Sequence, residues 1–158
     1  MSRIGLNAHL LSRDSTYRSA GVSRYIAELM AHLPVADPDA EYFAFVGGGY
    51  VGASQWHLHR SAWSTEAPLA RIAWEQVFQP AVARRLGLDL LHAPVNIGPL
   101  AVPCPIVVTI HDLSFLRYPQ LFSRSKGLYL KRLTGWTLAR AQAVIAVSAS
   151  TRHDLVEL

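Results

Sequence analysis

The fold is decided by the stretch Ile106-Val107-Val108-Thr109-Ile110, in which every residue is β-branched. Such residues favour an extended strand, because their branched side chains pack well on a pleated surface. Apolar residues here do not alternate with polar ones, which indicates a strand covered on both faces. The stretch therefore predicts a parallel sheet with a helical layer on each side.

Further apolar runs along the chain predict the other strands. They are Arg3–Ala8, Tyr42–Val46, Asp89–Ala93 and Ala143–Val147, with one more short strand near Ser61–Ser64. Between them lie stretches at helical spacing, which begin at Gly21, span Leu69–Leu86 and Phe122–Ala141, and open again at Ser148 with Ser148 or Ser150 as N-cap. Strands that alternate with helices predict an α/β fold: a Rossmann-like, doubly wound, mainly parallel sheet with helices on both faces.

Two prolines and one glycine are expected to set helix boundaries. Pro34 is expected to stop the first helix, since proline lacks the backbone N–H that a helix interior needs. Pro80 is expected either to kink the second helical stretch or to begin a new helix. Gly87 stands where a helix C-terminus requires a residue that tolerates positive φ.

Length and composition bound the class of protein. The chain has 158 residues, of which 51% are hydrophobic and 16% charged, so we expect one folded domain over residues 1–158. The single cysteine, Cys104, excludes a disulfide framework and zinc sites built on paired cysteines. No apolar run approaches the ~20 residues of a membrane span, and the first residues do not resemble a signal peptide. We therefore expect a soluble, cytoplasmic protein.

Positive charge is concentrated in one third of the chain. The net charge is +4, and no acidic residue occurs between Asp112 and Asp154. That segment carries Arg117, Arg124, Lys126, Lys131, Arg132, Arg140 and Arg152. It predicts an anionic partner such as phosphate groups, nucleic acid or a lipid surface, although a solvated face alone gives the same pattern.

Polar side chains cluster where the predicted strands end. They are His9, His92, Asn96, His111, Asp112 and Ser148. Ligands of open α/β sheets bind at the carboxyl ends of the strands, so these residues are the candidate site. His111 can offer one ring nitrogen to a ligand while a neighbour fixes the other. In the alternative interpretation, His111 is bonded at the edge of the core and Asp112 caps a turn.

Glycines and a histidine pair suggest three further sites. Gly21 opens a helix after the first strand, and such a helix N-terminus favours an anion, although glycine also suits a sharp turn. Residues Gly47–Gly52 fit G-x-G-x-x-G, which points to a dinucleotide-binding oxidoreductase. Their position after the second strand, with no amphipathic helix following, argues against that function. His57 and His59 have metal-ligand spacing but no third ligand nearby in sequence, so no metal is expected.

Five motifs in order resemble the N-terminal lobe of family-four glycosyltransferases, the retaining GT-B enzymes, and especially their mannosyltransferase-like branch. The motifs are Gly21-Val22-Ser23-Arg24-Tyr25-Ile26, Trp74-Glu75-Gln76, Leu91-His92-Ala93-Pro94, Val108-Thr109-Ile110-His111-Asp112-Leu113-Ser114-Phe115 and Val144-Ile145-Ala146-Val147-Ser148. Together they span nearly the whole chain.

The resemblance implies a sugar-transferring enzyme with two Rossmann-like lobes. It places Gly21 and Val22 at the diphosphate of a nucleotide-sugar donor, and His111 at the transferred sugar with Asp112 orienting the turn. Asn96 then lies on the acceptor side, where His9 is also expected, and Ser148 lines the cleft floor. The donor is a co-substrate held by protein groups, so no cofactor is implied. Ala20 and Ser23 stand where relatives often carry further glycines, which weakens the phosphate assignment.

The resemblance also implies partners. The donor is shared with a C-terminal donor-binding lobe that is absent from residues 1–158, so we expect the chain alone to transfer no sugar. The acceptor is a glycan or a lipid-linked sugar, and relatives often lie on an anionic membrane surface. On the predicted basic helix Arg124, Lys131 and Arg132 share one side, which suits peripheral contact with the inner face of a membrane. Nucleic acid is disfavoured, because few aromatic residues interleave with the basic ones.

Overall fold

A computed structural model describes residues 1–11, 20–47, 54–61 and 67–157 of the chain. In these ranges the strands are β1 (Arg3–Asn7), β2 (Glu41–Val46), β3 (His57–Arg60), β4 (Leu90–Ala93), β5 (Ile106–Ile110) and β6 (Ala143–Ala146). The helices are α1 (Ala20–Ala36), α2 (Pro68–Val77), α3 (Gln79–Leu86), α4 (Ser114–Arg117), α5 (Arg124–Arg140) and α6 (Ala149–Glu157), with a 3-10 turn at Pro119–Leu121.

The six strands form one sheet in the order β3-β2-β1-β4-β5-β6, and every neighbouring pair is parallel. The chain winds outward from β1 in one direction and from β4 in the other. The strand order therefore reverses between β1 and β4, which is where ligands bind in doubly wound folds. The predicted α/β, Rossmann-like single lobe is confirmed.

Two hydrophobic layers cover the two faces of the sheet. One contains Phe43 and Phe45 of β2 and the inward residues of β5, and it packs against α2, α3 and α5. The other contains Tyr42, Ala44 and Val46 of β2 and packs against α1. Successive β2 residues thus face opposite layers, as strand geometry requires, and this explains why the strands read as continuous apolar runs.

The expectation that β6 is buried is wrong. Val144, Ile145 and the following Val147 are 42%, 41% and 46% exposed. Among the described residues β6 pairs only with β5 and forms the edge of the sheet. An apolar composition is shared by central strands and by this edge strand, so the sequence pattern does not separate the two.

Pro34 and Pro80 have different effects on the helices that contain them. Pro34 does not stop α1, which continues to Ala36. Because Pro34 has no N–H, the carbonyl of Met30 one turn earlier lacks its helical donor, and the buried Trp56 indole Nε1 donates to that oxygen at 2.8 Å. Pro80 begins α3, as expected.

The remaining boundaries follow the sequence with one exception. Gly87 ends α3 with φ of 60°, as predicted for its position. β3 ends at Arg60, and of the short strand expected near Ser61–Ser64 only Ser61 is described. Residues 62–66 lie outside the described ranges.

Trp56→Phe is expected to destabilise the chain by about 1–3 kcal/mol, because it leaves the buried Met30 carbonyl without a donor. The measurement is urea unfolding followed by circular dichroism. Trp136→Phe is the matched control, since Trp136 is 55% exposed and its replacement should change stability little. Equal midpoints for the two variants would contradict the proposed role of the Trp56 indole.

Candidate functional site

Asn96 joins the loop after β4 to the turn after β5. Its side-chain amide donates from Nδ2 to the Asp112 carbonyl at 2.8 Å, and its Oδ1 accepts from the His111 backbone N–H at 3.1 Å. One side chain thus satisfies two backbone groups of the turn. The structure therefore brings Asn96, His111 and Asp112 together at the carboxyl edge of the sheet.

The His111 imidazole is fixed at one nitrogen. Nε2 lies 2.8 Å from the Pro94 carbonyl oxygen, and a carbonyl can only accept, so Nε2 carries the hydrogen. In the neutral ring the other nitrogen, Nδ1, is then an acceptor. The ring is partly buried and meets the Tyr25 ring edge-to-face, with centroids 5.3 Å apart and planes at 85°. A ring held at one nitrogen fits both interpretations that the sequence left open for His111, a ligand-binding histidine and a bonded histidine at the edge of the core.

Asp112 forms a turn that begins α4. Its Oδ1 accepts from the Ser114 backbone N–H at 2.9 Å and from the Ser114 hydroxyl at 2.5 Å. This is the turn-forming role that the sequence left open for Asp112. The carboxylate is also exposed, so the turn does not remove it from the surface of the site.

Ser148 caps α6 and connects that helix to the site. Its Oγ accepts from the Thr151 backbone N–H at 3.1 Å, as expected for an N-cap. The Thr151 hydroxyl in turn donates to the His111 carbonyl at 3.1 Å. Ser148 thus reaches the His111 turn through Thr151.

Gly21 and Val22 lie in the first turn of α1. Gly21 is exposed, and a side chain at this position would meet no atom of the described residues within 4 Å. The Val22 side chain packs into the hydrophobic layer under α1, so only its backbone remains for a ligand. The preceding residues 12–19 lie outside the described ranges.

His9 belongs to a different part of the same edge. It follows β1, is buried, and packs edge-to-face on Trp74 of α2 with ring centroids 4.7 Å apart. Burial, helped by the positive charge of Arg71, lowers the pKa of His9 to about 4. The imidazole is therefore neutral at pH 7.

A buried carboxyl on α2 has a role that the sequence motif Trp74-Glu75-Gln76 did not assign. Glu75 is 3% exposed and lies 3.5 Å from Arg71 across one helical turn. Burial raises the pKa of Glu75 to about 7, against the opposing effects of Arg71 and of the Asn7 side-chain amide. The i,i+4 spacing of Arg71 and Glu75 is the sequence signal for this ion pair.

A second overlooked feature connects β4, β5 and α1. His92 Nε2 lies 2.8 Å from the hydroxyl of the fully buried Thr109, and the Tyr25 hydroxyl lies 3.1 Å from the same oxygen. His92 is inside β4 rather than after it. Burial lowers its pKa to about 4.

The structure describes the two histidines with metal-ligand spacing but not most of the glycine motif. Residues 48–52 of the G-x-G-x-x-G match lie outside the described ranges. His57 lies parallel to the Phe43 ring at 5.1 Å, and His59 is tilted against the same ring at 6.1 Å. Within the part of the chain that the structure describes, no three His, Cys, Asp or Glu residues are grouped to hold a metal ion.

An exposed surface of α5 combines positive charge with apolar side chains. Arg124, Lys131 and Arg132 are exposed, together with Leu128 (53%) and Trp136 (55%). At 100° per residue these five residues lie within an arc of about 140°, and we call them the basic face. Two other cations of the segment are engaged elsewhere: Arg117 pairs with Asp154, and Arg140 donates to the Val102 carbonyl.

None of the helices in the described ranges is both long and apolar enough to cross a bilayer.

A protein-family model matches most of the chain. No curated protein matches the chain. Residues 19–158, which include the candidate site except His9, match the family model for Glycosyltransferase Family 4. That match, covering more than half of the chain and joined to the parallel α/β sheet, shows that the protein belongs to Glycosyltransferase Family 4.

Proposed function

We propose that this chain is the acceptor-side, N-terminal lobe of a retaining glycosyltransferase of the mannosyltransferase-like branch. The enzyme would move a sugar from a nucleotide-sugar donor to a glycan or lipid-linked acceptor. The bond from the sugar to the diphosphate breaks, and a bond to an acceptor hydroxyl forms with the same anomeric configuration. The observation that carries the proposal is the turn that Asn96 holds together, with His111 beside α1.

The hydrogen bonds of this turn support a role in sugar handling. The Pro94 carbonyl occupies Nε2 of His111, which leaves Nδ1 as an acceptor for a sugar hydroxyl. Asn96 and Thr151 hold the backbone on either side of the ring. A group held in this way needs little reorganisation when substrate binds, and this favours catalysis by positioning.

The start of α1 supports the donor side of the proposal. Backbone N–H groups of a helix N-terminus and the helix dipole favour an anion, and Gly21 leaves space for a diphosphate to approach. Tyr25 stands one turn later on α1 and touches His111. A nucleotide sugar carries its phosphates next to its sugar, so this order of groups along α1 suits such a donor without a metal or cofactor.

We also propose that a separate donor-binding lobe completes the site. The exposed apolar residues Val144, Ile145 and Val147 at the edge of the sheet suggest that further protein covers this side. Among the described residues, no side-chain cation contacts Gly21 or the His111 side chain. Stabilising the leaving diphosphate demands such charges, so residues 1–158 alone should transfer no sugar.

The test combines an activity assay with ligand titration. The purified chain is incubated with UDP-glucose or GDP-mannose, nucleoside diphosphate release is measured, and ¹⁵N NMR follows the amides of Gly21, Asn96, His111 and Asp112. We expect these amides to shift without release of the nucleotide. Turnover by the chain alone would overturn the half-enzyme proposal. Shifts with NADH but not with either nucleotide sugar would overturn the donor assignment in favour of a dinucleotide.

We further propose that the basic face docks the protein on an anionic membrane, at the inner surface of the cytoplasmic membrane. Leucine and tryptophan among lysine and arginine are typical of helices that lie in the headgroup region. The segment contains no acidic residue from Leu113 to His153, so little repulsion opposes an anionic surface. This position would suit a lipid-linked acceptor.

Lys131→Gln/Arg132→Gln is expected to weaken binding to phosphatidylserine vesicles about thirtyfold, since each basic residue near such a surface contributes about 1 kcal/mol. Co-sedimentation at low and high salt measures this. Arg84→Gln/Arg85→Gln is the matched control, because it removes two adjacent exposed charges from α3 instead. Salt-insensitive binding, or equal loss in both variants, would exclude the basic face as the membrane contact.

A further inference from the structure

Tyr25 lies between the start of α1 and the candidate histidine. Its ring contacts the His111 imidazole edge-to-face, with centroids 5.3 Å apart and planes at 85°. Its hydroxyl lies 3.1 Å from the Thr109 hydroxyl on β5. Tyr25 therefore has one contact with the candidate site and one with a buried side chain of β5.

The sheet side of this arrangement is firmly held. Thr109 is fully buried, and its hydroxyl is shared between Tyr25 and His92, whose Nε2 lies at 2.8 Å. A hydroxyl can donate one hydrogen bond and accept others, so the three side chains satisfy each other in a chain. Buried chains of this kind fix the orientation of their members. The Tyr25 ring is consequently anchored at its far end.

We infer that Tyr25 is a positioning residue. It fixes the plane of the His111 imidazole, so that Nδ1 of this ring keeps a single orientation. The inference rests on the proposed function, in which Nδ1 of His111 meets the transferred sugar. Nothing in the sequence pattern or the family match assigns this role to Tyr25.

Two contacts are needed to fix an imidazole. The bond from Nε2 to the Pro94 carbonyl holds one ring atom, but the ring can still pivot about that bond. The edge-to-face contact with Tyr25 opposes the pivot, since the aromatic quadrupole favours this arrangement. A histidine already held in one orientation loses less conformational entropy when ligand binds.

Tyr25 also sets the distance between the start of α1 and the His111 imidazole. Gly21 precedes it by four residues, one turn of α1. The contact between Tyr25 and His111 therefore holds the anion-favouring end of α1 at a fixed distance from the imidazole. A ligand with a phosphate group next to a sugar needs both groups at once, and a change in this spacing would misplace one of them.

The experiment compares Tyr25→Leu and Tyr25→Phe by ¹⁵N NMR of the histidine rings. Tyr25→Leu removes the ring contact and the anchor, so the His111 ring signals should shift and broaden as the ring pivots, while the Nε2–H tautomer set by the Pro94 carbonyl is kept. Tyr25→Phe keeps the ring but loses the bond to Thr109, so His111 should keep its tautomer with broader signals. Tyr42→Phe is the matched control, since the Tyr42 hydroxyl donates to the Leu33 and Asp37 carbonyls.

The inference is overturned if the His111 signals of Tyr25→Leu match those of the unmodified chain, or if Tyr42→Phe changes them equally. Should Tyr25→Leu fail to fold, Tyr25→Phe decides, and His111 signals of unchanged width would overturn the anchoring. These readouts need no donor or acceptor. If they come out as expected while nucleotide sugars shift no amide at the site, the proposed function fails and the positioning role remains.

Discussion

Replacement of His111 by alanine is expected to lower kcat/KM for sugar transfer by about 10²–10³-fold in an enzyme that carries both lobes. A single positioned hydrogen-bonding group at a reacting centre is typically worth this much. The side chain is partly buried and fixed at Nε2 by the Pro94 carbonyl, so alanine removes the acceptor Nδ1 and leaves the Pro94 oxygen without its donor. Initial rates at varied donor concentration measure the change.

The control for this variant is His32→Ala. His32 is exposed on α1, with its Nδ1 3.5 Å from the Glu28 carboxylate, so its removal should leave the rate within about twofold. Thermal unfolding of both variants separates loss of activity from loss of fold. If His111→Ala keeps a rate close to that of the unmodified enzyme, the imidazole has no part in the reaction.

The second large effect concerns stability in acid. His9 and His92 are 8% and 7% exposed, and burial lowers the pKa of each from 6.5 to about 4. The folded state holds both rings neutral, whereas the unfolded chain takes up protons below pH 6.5. Each histidine should therefore cost about 3 kcal/mol of folding stability by pH 4. Both losses begin as the pH falls through 6.5 and are complete below about 4.

The contribution of Glu75 to folding stability changes with pH in the opposite direction to that of the histidines. Burial raises its pKa from 4.5 to about 7, so the folded state binds this proton more tightly than the unfolded chain does. Its stabilising contribution is fully present below pH 4.5 and is lost as the pH rises through 7, with a total of about 3 kcal/mol. The pH profile of the unmodified chain is thus the sum of opposed slopes, and the stability lost between pH 7 and 4 should be about that of one histidine rather than of two.

Single substitutions resolve the three contributions. Urea unfolding from pH 4 to 8 is measured for His92→Gln, His9→Gln and Glu75→Gln. Each histidine variant should lose about 3 kcal/mol less than the unmodified chain between pH 7 and 4, whereas Glu75→Gln should lose about 3 kcal/mol less between pH 5 and 8. The exposed His153 is the control. If His92→Gln and His153→Gln show the same pH dependence, the His92 ring is not held neutral by burial.

Much of the fold could be predicted from the sequence because the signals are local. The β-branched run 106–110 gave its strand with the observed bounds, and Pro80 and Gly87 act through their own backbone restrictions. Exposure of β6 could not be predicted in this way. It depends on the strand having a neighbour on one side only within the described sheet, and composition does not carry that information.

The candidate site was predicted in part for a related reason. Residues that directly follow strands, such as His111 and Asp112, are marked by their position in the sequence. The groups that hold them are not marked, because Tyr25 and Thr109 lie 84 residues apart and Thr151 lies 40 residues from His111. Likewise the donor that replaces the missing N–H of Pro34 is an indole 26 residues from Met30. Such partners are defined only once the chain has folded.

The exposed position of β6 also determines where local unfolding of the domain begins. Amide hydrogens of β1 and β4 lie in the middle of the sheet between two covered faces, whereas β6 lies at its border with its side chains open to water. Deuterium should therefore enter β6 and α6 through small local openings, long before it reaches the central strands. Local unfolding of β6 and α6 would first break the hydrogen bond from Thr151 to the His111 carbonyl. The backbone beside the imidazole is therefore only as stable as this edge of the sheet.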